Sequence, residues 1–328
     1  MTAVSIVIPS FNHARFIAQA IDSVVTQGHR DFELIVVDDG STDRTRQLLT
    51  GPYRAVISKL DLGENRGAAA ALNRGIEMSD GEWVAILNSD DVYLPHRLER
   101  LLAAAAQSGA DFLFSDIEII DDRGALPATD RTVQSRVRAT RAARHQDIVS
   151  VLSGSQFSVT SSNFFCRKDV VGELGGFRQF RYCHDWDFII RVMGRFQVHW
   201  LDEVLLQYRL HADNTMSERN AWQRHVEYSM VFASALCAPA AREEVAALDV
   251  KSLFASREFF PVLVLWLVME CRQKGAEEIL AEMARGELAR RAQCQFADMD
   301  ADFEAQLSLQ KIRKFARRLP FRRWFHRG

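Results

Sequence analysis

The sequence has few cysteines, and none of them is spaced as a metal or redox site requires. No two of the five cysteines are spaced as a CxxC motif. This disfavours a zinc site or a dithiol redox centre. An odd, scattered set is also unlike a disulfide framework and fits a reducing cytosol better. The five are Cys166, Cys183, Cys237, Cys271 and Cys294.

Long apolar runs are also missing from the chain. The longest, Phe259–Met269, has eleven residues, whereas a helix that spans a bilayer needs about 20. The first residues lead directly into an apolar strand pattern, without the basic region and apolar segment of a secretory signal. We therefore expect a cytoplasmic protein without a transmembrane helix.

Two common nucleotide-binding motifs are absent, and the charge balance disfavours another class of protein. The sequence contains neither GxGxxG nor GxxxxGK(S/T), which disfavours dinucleotide-binding and P-loop proteins. The formal net charge is -2, which argues against a general nucleic-acid binder. No nucleic-acid partner is expected.

The sequence does contain a strand pattern that ends in two acids, within the stretch Gly81–Leu94. Trp83–Leu87 is a continuous apolar run, typical of a strand buried on both faces of a sheet. The run stops at Asn88-Ser89-Asp90-Asp91. Open α/β sheets bind ligands beyond the carboxyl ends of their strands, and adjacent carboxylates there suit Mg²⁺ or Mn²⁺ bridging to a diphosphate. The alternative is a solvated loop whose acids cap the next helix.

Strands and helices alternate through the first third of the chain. This spacing predicts βαβ units and a mostly parallel α/β sheet with helices on both faces. The alternation lapses after about residue 118, and the pattern is helical from Ser217 onwards. The expected regions are therefore 1–118, 119–216 and 217–328. The predicted strands are Val4–Ile8, Phe32–Val37, Val56–Ser58, Trp83–Leu87, Asp111–Ser115, Ser161–Cys166, Val198–Leu201 and Val204–Tyr208.

Further acids and one histidine stand next to predicted elements. Asp38 and Asp39 end the second strand, where an acid can accept from a nucleobase or a ribose hydroxyl; the alternative is a turn and helix cap. Asp185 and Asp187 lie near a helix start, either as a general base or as acids favoured by the helix dipole. His211 follows a strand, and a lone histidine in such a place is usually structural or exposed.

In this order and at this spacing, the features resemble glycosyltransferase family 2, the inverting enzymes with a GT-A fold. The resemblance covers about residues 3–215. Each segment alone is weakly specific, whereas the ordered set is highly specific. The segments are Val4–Asn12 (VSIVIPSFN), Phe32–Asp43 (FELIVVDDGSTD), Asn65–Ile76 (NRGAAAALNRGI), Gly81–Leu94, Gly172–Phe177 (GELGGF), His184–Arg191 (HDWDFIIR) and Tyr208–His211.

The resemblance implies a metal-dependent sugar transfer and a role for each matching residue. The donor would be a nucleoside-diphosphate sugar and the acceptor a glycan or a lipid-linked molecule, most often in bacterial surface polysaccharide synthesis. Residues 1–118 would bind the donor, and 119–216 would bind the acceptor and carry the base. The implied nucleotide contacts are Pro9, Ser10, Asp39, Arg66 and Asp90; the ligands of Mn²⁺ or Mg²⁺ are Asp91 and His211; the base is Asp185; the acceptor side includes Gly175, Gly176, His184 and Asp187.

Two positions depart from the family pattern. Asn88 stands where the family often has Asp, and His184 stands where Glu usually precedes the base. The acids that the mechanism needs are kept. These departures motivate one alternative, a catalytically silent member that serves as a binding or scaffold protein. A second alternative, a sugar-nucleotide pyrophosphorylase, requires a Gly- and Arg-rich loop after the first strand, and Pro9-Ser10-Phe11-Asn12 is not such a loop.

Two basic segments carry the remaining expectations. The arginines between Arg131 and Arg144 predict a loop over the site that binds an anionic acceptor, with a solvated surface loop as the alternative. Lys311–Gly328 interleaves eight cations with aromatic and aliphatic residues, which suits a membrane interface. We therefore expect a peripheral contact of 311–328 with the inner leaflet, with packing of this segment on the protein as the alternative.

Overall fold

The computed structural model describes residues 3–126, 160–215, 221–237, 266–267, 270–271 and 273–295. The arginine segment 131–144 and the basic segment 311–328 lie outside these residues. The described residues up to 215 belong to one compact unit, and those from 221 onwards belong to a second.

The first unit is built on one sheet. Its strands are β1 (Val4–Ser10), β2 (Phe32–Asp38), β3 (Lys59–Leu62), β4 (Trp83–Ile86), β5 (Val92–Tyr93), β6 (Phe112–Ile120), β7 (Phe165–Arg167) and β8 (Val198–Arg209). Its helices are α1 (Ile17–Val25), α2 (Thr45–Thr50), α3 (Ala68–Glu77), α4 (Arg97–Ser108), α5 (Lys168–Glu173) and α6 (His184–Met193). The strand order is β3-β2-β1-β4-β7-β6-β8-β5.

Most strands of the sheet run in one direction. β1 pairs in parallel with β2 and β4, and β2 pairs in parallel with β3. β7 is antiparallel to both β4 and β6, so β6 and its parallel partner β8 have the direction of β4. β5 is antiparallel to β8. The predicted mostly parallel sheet is confirmed, and the carboxyl ends of β1, β2, β4 and β8 share one edge.

Helices cover both faces of the sheet, as predicted. On β1, Ile6 and Ile8 alternate with Val7, and alternate side chains of a strand point to opposite faces. Ile6 and Ile8 belong to the buried cluster that contains the apolar stripes of α1 and α4, whereas α3 approaches Val7 on the other face. The fully buried stripe of α1 consists of Ile17, Ala20, Ile21 and Val24.

The third strand lies at Lys59–Leu62, so the prediction of Val56–Ser58 was wrong. Val56 belongs to a turn, in which its N–H donates to Tyr53 O at 3.2 Å, and it is 42% exposed. Pairing with β2 begins only at Lys59. The β-branched residues Val56 and Ile57 favour a strand locally. Val56 lies in the turn, however, and the chain joins the sheet only after it.

The predicted strand Ser161–Cys166 is half right. Ser161–Asn163 form a 3-10 helix, because Thr160 Oγ1 accepts from Ser162 N at 3.2 Å and caps the turn. The strand that follows is β7, Phe165–Arg167. Local capping by a threonine hydroxyl competes here with the extended backbone that the apolar pattern indicates.

The two strands predicted at Val198–Leu201 and Val204–Tyr208 are one strand. β8 runs without a break from Val198 to Arg209. Its register with β6 shifts on both sides of Asp116. Such an irregularity interrupts the period-2 alternation of a strand, which explains why the sequence pattern indicates a gap.

The close packing of α3 on β1 leads to a stability prediction. A Cβ at Gly75 of α3 would lie 2.3 Å from Val7 Cγ1, and Val7 is fully buried. Gly75→Ala is therefore expected to lower the free energy of unfolding by about 1–3 kcal/mol through overpacking. Denaturant unfolding followed by circular dichroism measures this change.

The matched control for that variant is Gly172→Ala. Gly172 is an exposed glycine of α5, and a Cβ there meets nothing within 4 Å. Alanine should stabilise this site by roughly 0.5–1 kcal/mol, because glycine loses more backbone entropy in a helix. Equal effects of the two substitutions would contradict the packing account of Gly75.

The second unit is helical where it is described. It contains α7 (Ala221–Cys237), α8 (Ala276–Ala284) and α9 (Glu287–Gln295). Arg291 of α9 forms ion pairs with Glu282 of α8 and with Glu270. The predicted α-helical C-terminal extension is confirmed for these residues. In the described part of the chain, no helix combines the length and the apolar character needed to cross a membrane.

Candidate functional site

The loops that follow β1 and β2 are tied together by Asn12. Its backbone is left-handed, with φ of 53°, a conformation that Asn tolerates better than most residues. Its side-chain oxygen accepts from Thr42 N at 2.8 Å, and its N–H donates to Ser41 Oγ at 2.8 Å. The loop that carries His13 is therefore held against the loop that begins at Asp39.

Three side chains converge at the carboxyl edge of the sheet. His13 follows β1, Asp90 follows β4 and His211 follows β8. One ligand atom from each lies within 4.8 Å of the other two. His211 Nε2 lies 3.0 Å from Asp90 Oδ2. Within the described ranges, these three form the one group of His, Cys, Asp or Glu residues that could hold a metal ion; they are called the His-Asp-His cluster below.

Each imidazole of the cluster is oriented by a contact of its other nitrogen. His13 Nδ1 lies 2.7 Å from Ser89 Oγ, and His211 Nδ1 accepts from Asp213 N at 3.3 Å. The two rings meet edge to face with centroids 5.7 Å apart, and Phe16 contacts both. A hydrogen bond donated by Nδ1 fixes the ring orientation of a metal-ligating histidine and leaves Nε2 for the ion. His13 has a serine hydroxyl within reach of its Nδ1. The Nδ1 of His211 accepts instead, so the Nε2 of its neutral ring carries the proton toward Asp90, and that proton must be displaced when an ion binds there.

The donor set of the cluster fits a divalent first-row cation. It offers one carboxylate oxygen and two imidazole nitrogens. Mn²⁺ accepts both kinds of donor, whereas Mg²⁺ is held almost entirely by oxygen. Asp90 is only 8% exposed, and a buried carboxylate beside two imidazoles is the kind of group that a cation stabilises.

Asp90 is held in its charged form. Burial alone would raise the pKa of its carboxyl. The hydrogen bond with His211 and the nearby charge of His13 nevertheless hold that pKa below its usual value. An ionised carboxylate is the form that ligates a metal.

Asp91, which the sequence analysis placed at the metal, has a different environment. Its carboxylate accepts from Ser162 Oγ and, at 2.9 Å, from Arg209 N. Burial and the negative charge of Asp90 raise the pKa of the Asp91 carboxyl well above its usual value. The carboxylate of Asp91 therefore accepts hydrogen bonds from the protein, and Asp91 is not part of the His-Asp-His cluster.

Arg209 holds the main chain of the acidic loop. Its buried guanidinium donates from Nε to Asp90 O at 2.7 Å, from Nη1 to Asp121 O at 3.0 Å and from Nη2 to Gln19 Oε1 at 2.6 Å. Three oxygen acceptors therefore satisfy this buried cation and attach the loop to α1 and to the end of β6. Arg209 lies in the segment Tyr208–His211 that carries the resemblance, but no role was predicted for it.

Asp39 closes the turn before α3. Its carboxylate accepts from Arg66 N at 2.7 Å and from Gly67 N at 2.8 Å. Burial raises the pKa of Asp39, although these hydrogen bonds oppose the shift. Asp39 and Arg66 line a cavity of about 830 Å³ that also contacts Gly175 and Gly176. Residues predicted for the nucleotide and for the acceptor thus border the same space.

Pro9 and Ser10 lie at the carboxyl end of β1 and are buried. Ser10 Oγ has no hydrogen-bond partner among the described residues. A buried hydroxyl without a partner is uncommon in folded proteins. It is therefore well suited to bind a polar group of a ligand.

Asp185 and His184 form the first turn of α6. Asp185 is half-buried, and its carboxylate accepts from Trp186 N at 2.7 Å. His184 Nδ1 is buried without a hydrogen-bond partner in the described part of the chain, and its ring meets Phe177 edge-on at 6.2 Å between centroids. The helix dipole favours a carboxylate at this end of a helix.

Asp187 stabilises the loop that contains Gly175 and Gly176. Its buried carboxylate pairs with Arg191 at 2.8 Å and with Arg178 at 3.3 Å. Arg191 in turn donates to Gly176 O at 2.9 Å. Gly175 and Gly176 have φ of 70° and 77°, which glycine adopts without strain. Asp187 therefore positions the loop through Arg191.

The structure brings the predicted residues together in three places. Asp39, Arg66, Gly175 and Gly176 border one cavity; Asp90 and His211 lie in the cluster; His184, Asp185 and Asp187 lie on the first turn of α6. His13 was missed, although it follows the predicted strand Val4–Ile8 by five residues, at the carboxyl edge of the sheet. That position was the available signal.

Residues 5–175 match the family described as Glycosyl transferase family 2. An uncharacterized glycosyltransferase of Nostoc sp. is 30% identical over 66% of this chain and 68% of its own length. The putative teichuronic acid biosynthesis glycosyltransferase TuaG of Bacillus subtilis is 36% identical over 37% of this chain. The succinoglycan biosynthesis protein ExoO of Rhizobium meliloti is 34% identical over 36% of this chain. The chain spans 49% of TuaG and 34% of ExoO.

Solved structures with the same architecture extend over more of the chain. S. aureus TarS 1-349 in complex with UDP-GlcNAc has a TM-score of 0.61, is 17% identical, and the match covers 88% of both chains. Mannosyltransferase PcManGT from Pyrobaculum calidifontis, in complex with GDP-Man and Mn²⁺, has a TM-score of 0.50 at 17% identity, over 90% of this chain and 84% of its own. At such identities the likeness shows the fold, and the predicted GT-A fold is confirmed.

Proposed function

The chain belongs to glycosyltransferase family 2, and we propose that it moves a sugar, with inversion, from a nucleoside-diphosphate sugar to an acceptor hydroxyl. The observation that carries this proposal is the meeting of Asp90 and His211 at the sheet edge where Asp39 borders a large cavity. The names of TuaG and ExoO support a role in building a bacterial surface polysaccharide.

The donor half of the proposed site uses the ends of three strands. Asp90 and His211, in place of the Asp91 expected from the sequence, hold Mn²⁺ or a similar ion. When bound, this ion supplies a Lewis acid that neutralises the leaving diphosphate. Ser10 and Asp39 border the nucleobase, and Arg66 faces the diphosphate. The unpartnered hydroxyl of Ser10 supports this placement.

The acceptor half of the proposed site uses the start of α6. Asp185 takes the proton of the acceptor hydroxyl as its oxygen attacks the anomeric carbon. The new carbon–oxygen bond forms on the face opposite the bond to the diphosphate, which breaks with its electron pair on the leaving oxygen. A single displacement of this kind inverts the anomeric centre. Gly175 and Gly176 shape the acceptor side of the cavity.

Nucleotide binding provides a direct test of the donor site. A nucleoside diphosphate with Mn²⁺ at about a hundred times its Kd should stabilise the fold by about 2.7 kcal/mol. Thermal unfolding of the full chain with the diphosphates of uridine, guanosine and thymidine measures the effect and identifies the base. EDTA should remove the stabilisation. The absence of any shift with all three nucleotides would contradict the proposed donor site.

We propose a lipid-linked or glycan acceptor and a peripheral contact of residues 311–328 with the inner leaflet. The eight cations of that segment and its aromatic residues support the contact, since each cation near an anionic leaflet is worth about 1 kcal/mol.

A further inference from the structure

The His-Asp-His cluster has more protein donors than a cation needs when a nucleotide supplies part of its coordination. Ions that act on phosphates are commonly held by one or two carboxylates, and the substrate's phosphate oxygens supply further ligands. Here His13 adds a second imidazole to Asp90 and His211. The three donors come from three different strand ends, so the folded sheet assembles them without a ligand.

We propose that His13 is a third protein ligand of the divalent ion, so that the ion binds before the donor and Mg²⁺ is a poor substitute. This inference deepens the proposed function. It rests on that function only in treating the site as the donor site. The ion-binding claim itself concerns only the side chains of the cluster.

His13 is preorganised for this role. The Nδ1 of His13 lies 2.7 Å from Ser89 Oγ. The other ring nitrogen therefore points away from this hydroxyl. The ring also packs edge-on against Phe16, with centroids 5.9 Å apart. The loop beneath it is held by Asn12 through Thr42 N. A ligand whose ring is already fixed loses little conformational entropy when an ion binds.

The ligand types then determine the order of metal affinity. Two of the three protein donors are nitrogen, and imidazole binds first-row transition ions far better than Mg²⁺. Along the transition series, affinity at a site with nitrogen donors rises from Mn²⁺ through Co²⁺. The nucleotide-free protein should therefore bind Co²⁺ more tightly than Mn²⁺, and Mn²⁺ more tightly than Mg²⁺.

The test is a titration of the full chain with Mn²⁺ in the absence of nucleotide, with free Mn²⁺ measured by electron paramagnetic resonance. The wild type should bind one ion, and excess Mg²⁺ should displace it poorly. His13→Gln should weaken Mn²⁺ binding by about tenfold or more, and Ser89→Ala should weaken it by a smaller factor. His29→Gln, which changes a histidine outside the cluster, is the matched control and should bind as the wild type does.

Two results would overturn the inference. One is a His13→Gln protein with wild-type unfolding temperature and wild-type Mn²⁺ affinity. The other is a wild type that binds Mn²⁺ only after a nucleoside diphosphate is added. Nucleotide-free Mn²⁺ binding that depends on His13 supports the inference even when no sugar nucleotide is turned over, and that combination would count against the proposed transferase activity alone.

Discussion

Replacement of Asp185 with Asn is expected to lower turnover by about 10²–10⁴-fold and to leave donor binding unchanged. The amide keeps the shape of the side chain and can still accept from Trp186 N, as the carboxylate does at 2.7 Å. It cannot take a proton from the acceptor hydroxyl. The measurement is kcat from the release of nucleoside diphosphate, together with the Kd of the donor from calorimetry.

Asp187→Asn separates the loss of a base from the loss of a structural contact. Asp187 is 1% exposed and pairs with two partly buried arginines, so its neutralisation leaves these cations without their buried counter-charge. We expect a lower unfolding temperature for Asp187→Asn and an unchanged one for Asp185→Asn. Near wild-type turnover in Asp185→Asn would assign the base elsewhere. A wild type without any transfer or hydrolysis would favour a catalytically silent binding protein.

The second large effect is expected at the acidic loop, where two neighbouring aspartates should behave differently. Asp90→Asn should weaken Mn²⁺-dependent binding of a nucleoside diphosphate by about 10²-fold or more, because the carboxylate that faces His211 is lost. Asp91→Asn should retain this binding. Calorimetric titration of each variant with nucleotide and Mn²⁺, and with nucleotide and EDTA, measures the difference.

The physical reason for tolerance at position 91 is the direction of the pKa shift. Burial and Asp90 raise the pKa of the Asp91 carboxyl, so the folded protein disfavours a charge there. A neutral amide of the same shape can accept from Arg209 N and donate to Ser162 Oγ. If Asp91→Asn loses Mn²⁺-dependent binding and Asp90→Asn keeps it, the metal ligand is Asp91.

The strands next to the site could be predicted because their pattern is local. β1, β2 and β4 are mostly apolar runs that stop at polar residues, and strands buried on both faces of a sheet have such near-continuous runs. The third strand was misplaced because Val56, with a favourable strand propensity, is used in a turn with Tyr53. Propensity of one or two residues does not decide between a turn and a short strand.

The residues of the site could be predicted only in part. Asp90 was indicated by the acids that end the apolar run Trp83–Leu87, and His211 gained a role only through the family resemblance. His13 comes one residue after the segment Val4–Asn12 that carries the resemblance, but its use depends on the distance to His211, which follows β8. Sequence spacing contains no information on that distance.

The sequence by itself determined the family, the parallel strands that end in acids and the polar residues that follow these strands at one edge of the sheet. The tertiary structure alone decided which of two adjacent aspartates faces the two imidazoles. Asp91 is turned inward by Ser162 and Arg209, which are 71 and 118 residues away along the chain. Adjacent side chains have the same local pattern, and only partners distant along the chain give the two carboxylates different directions. Burial and the charge of Asp90 then raise the pKa of Asp91, whereas the two histidines lower that of Asp90.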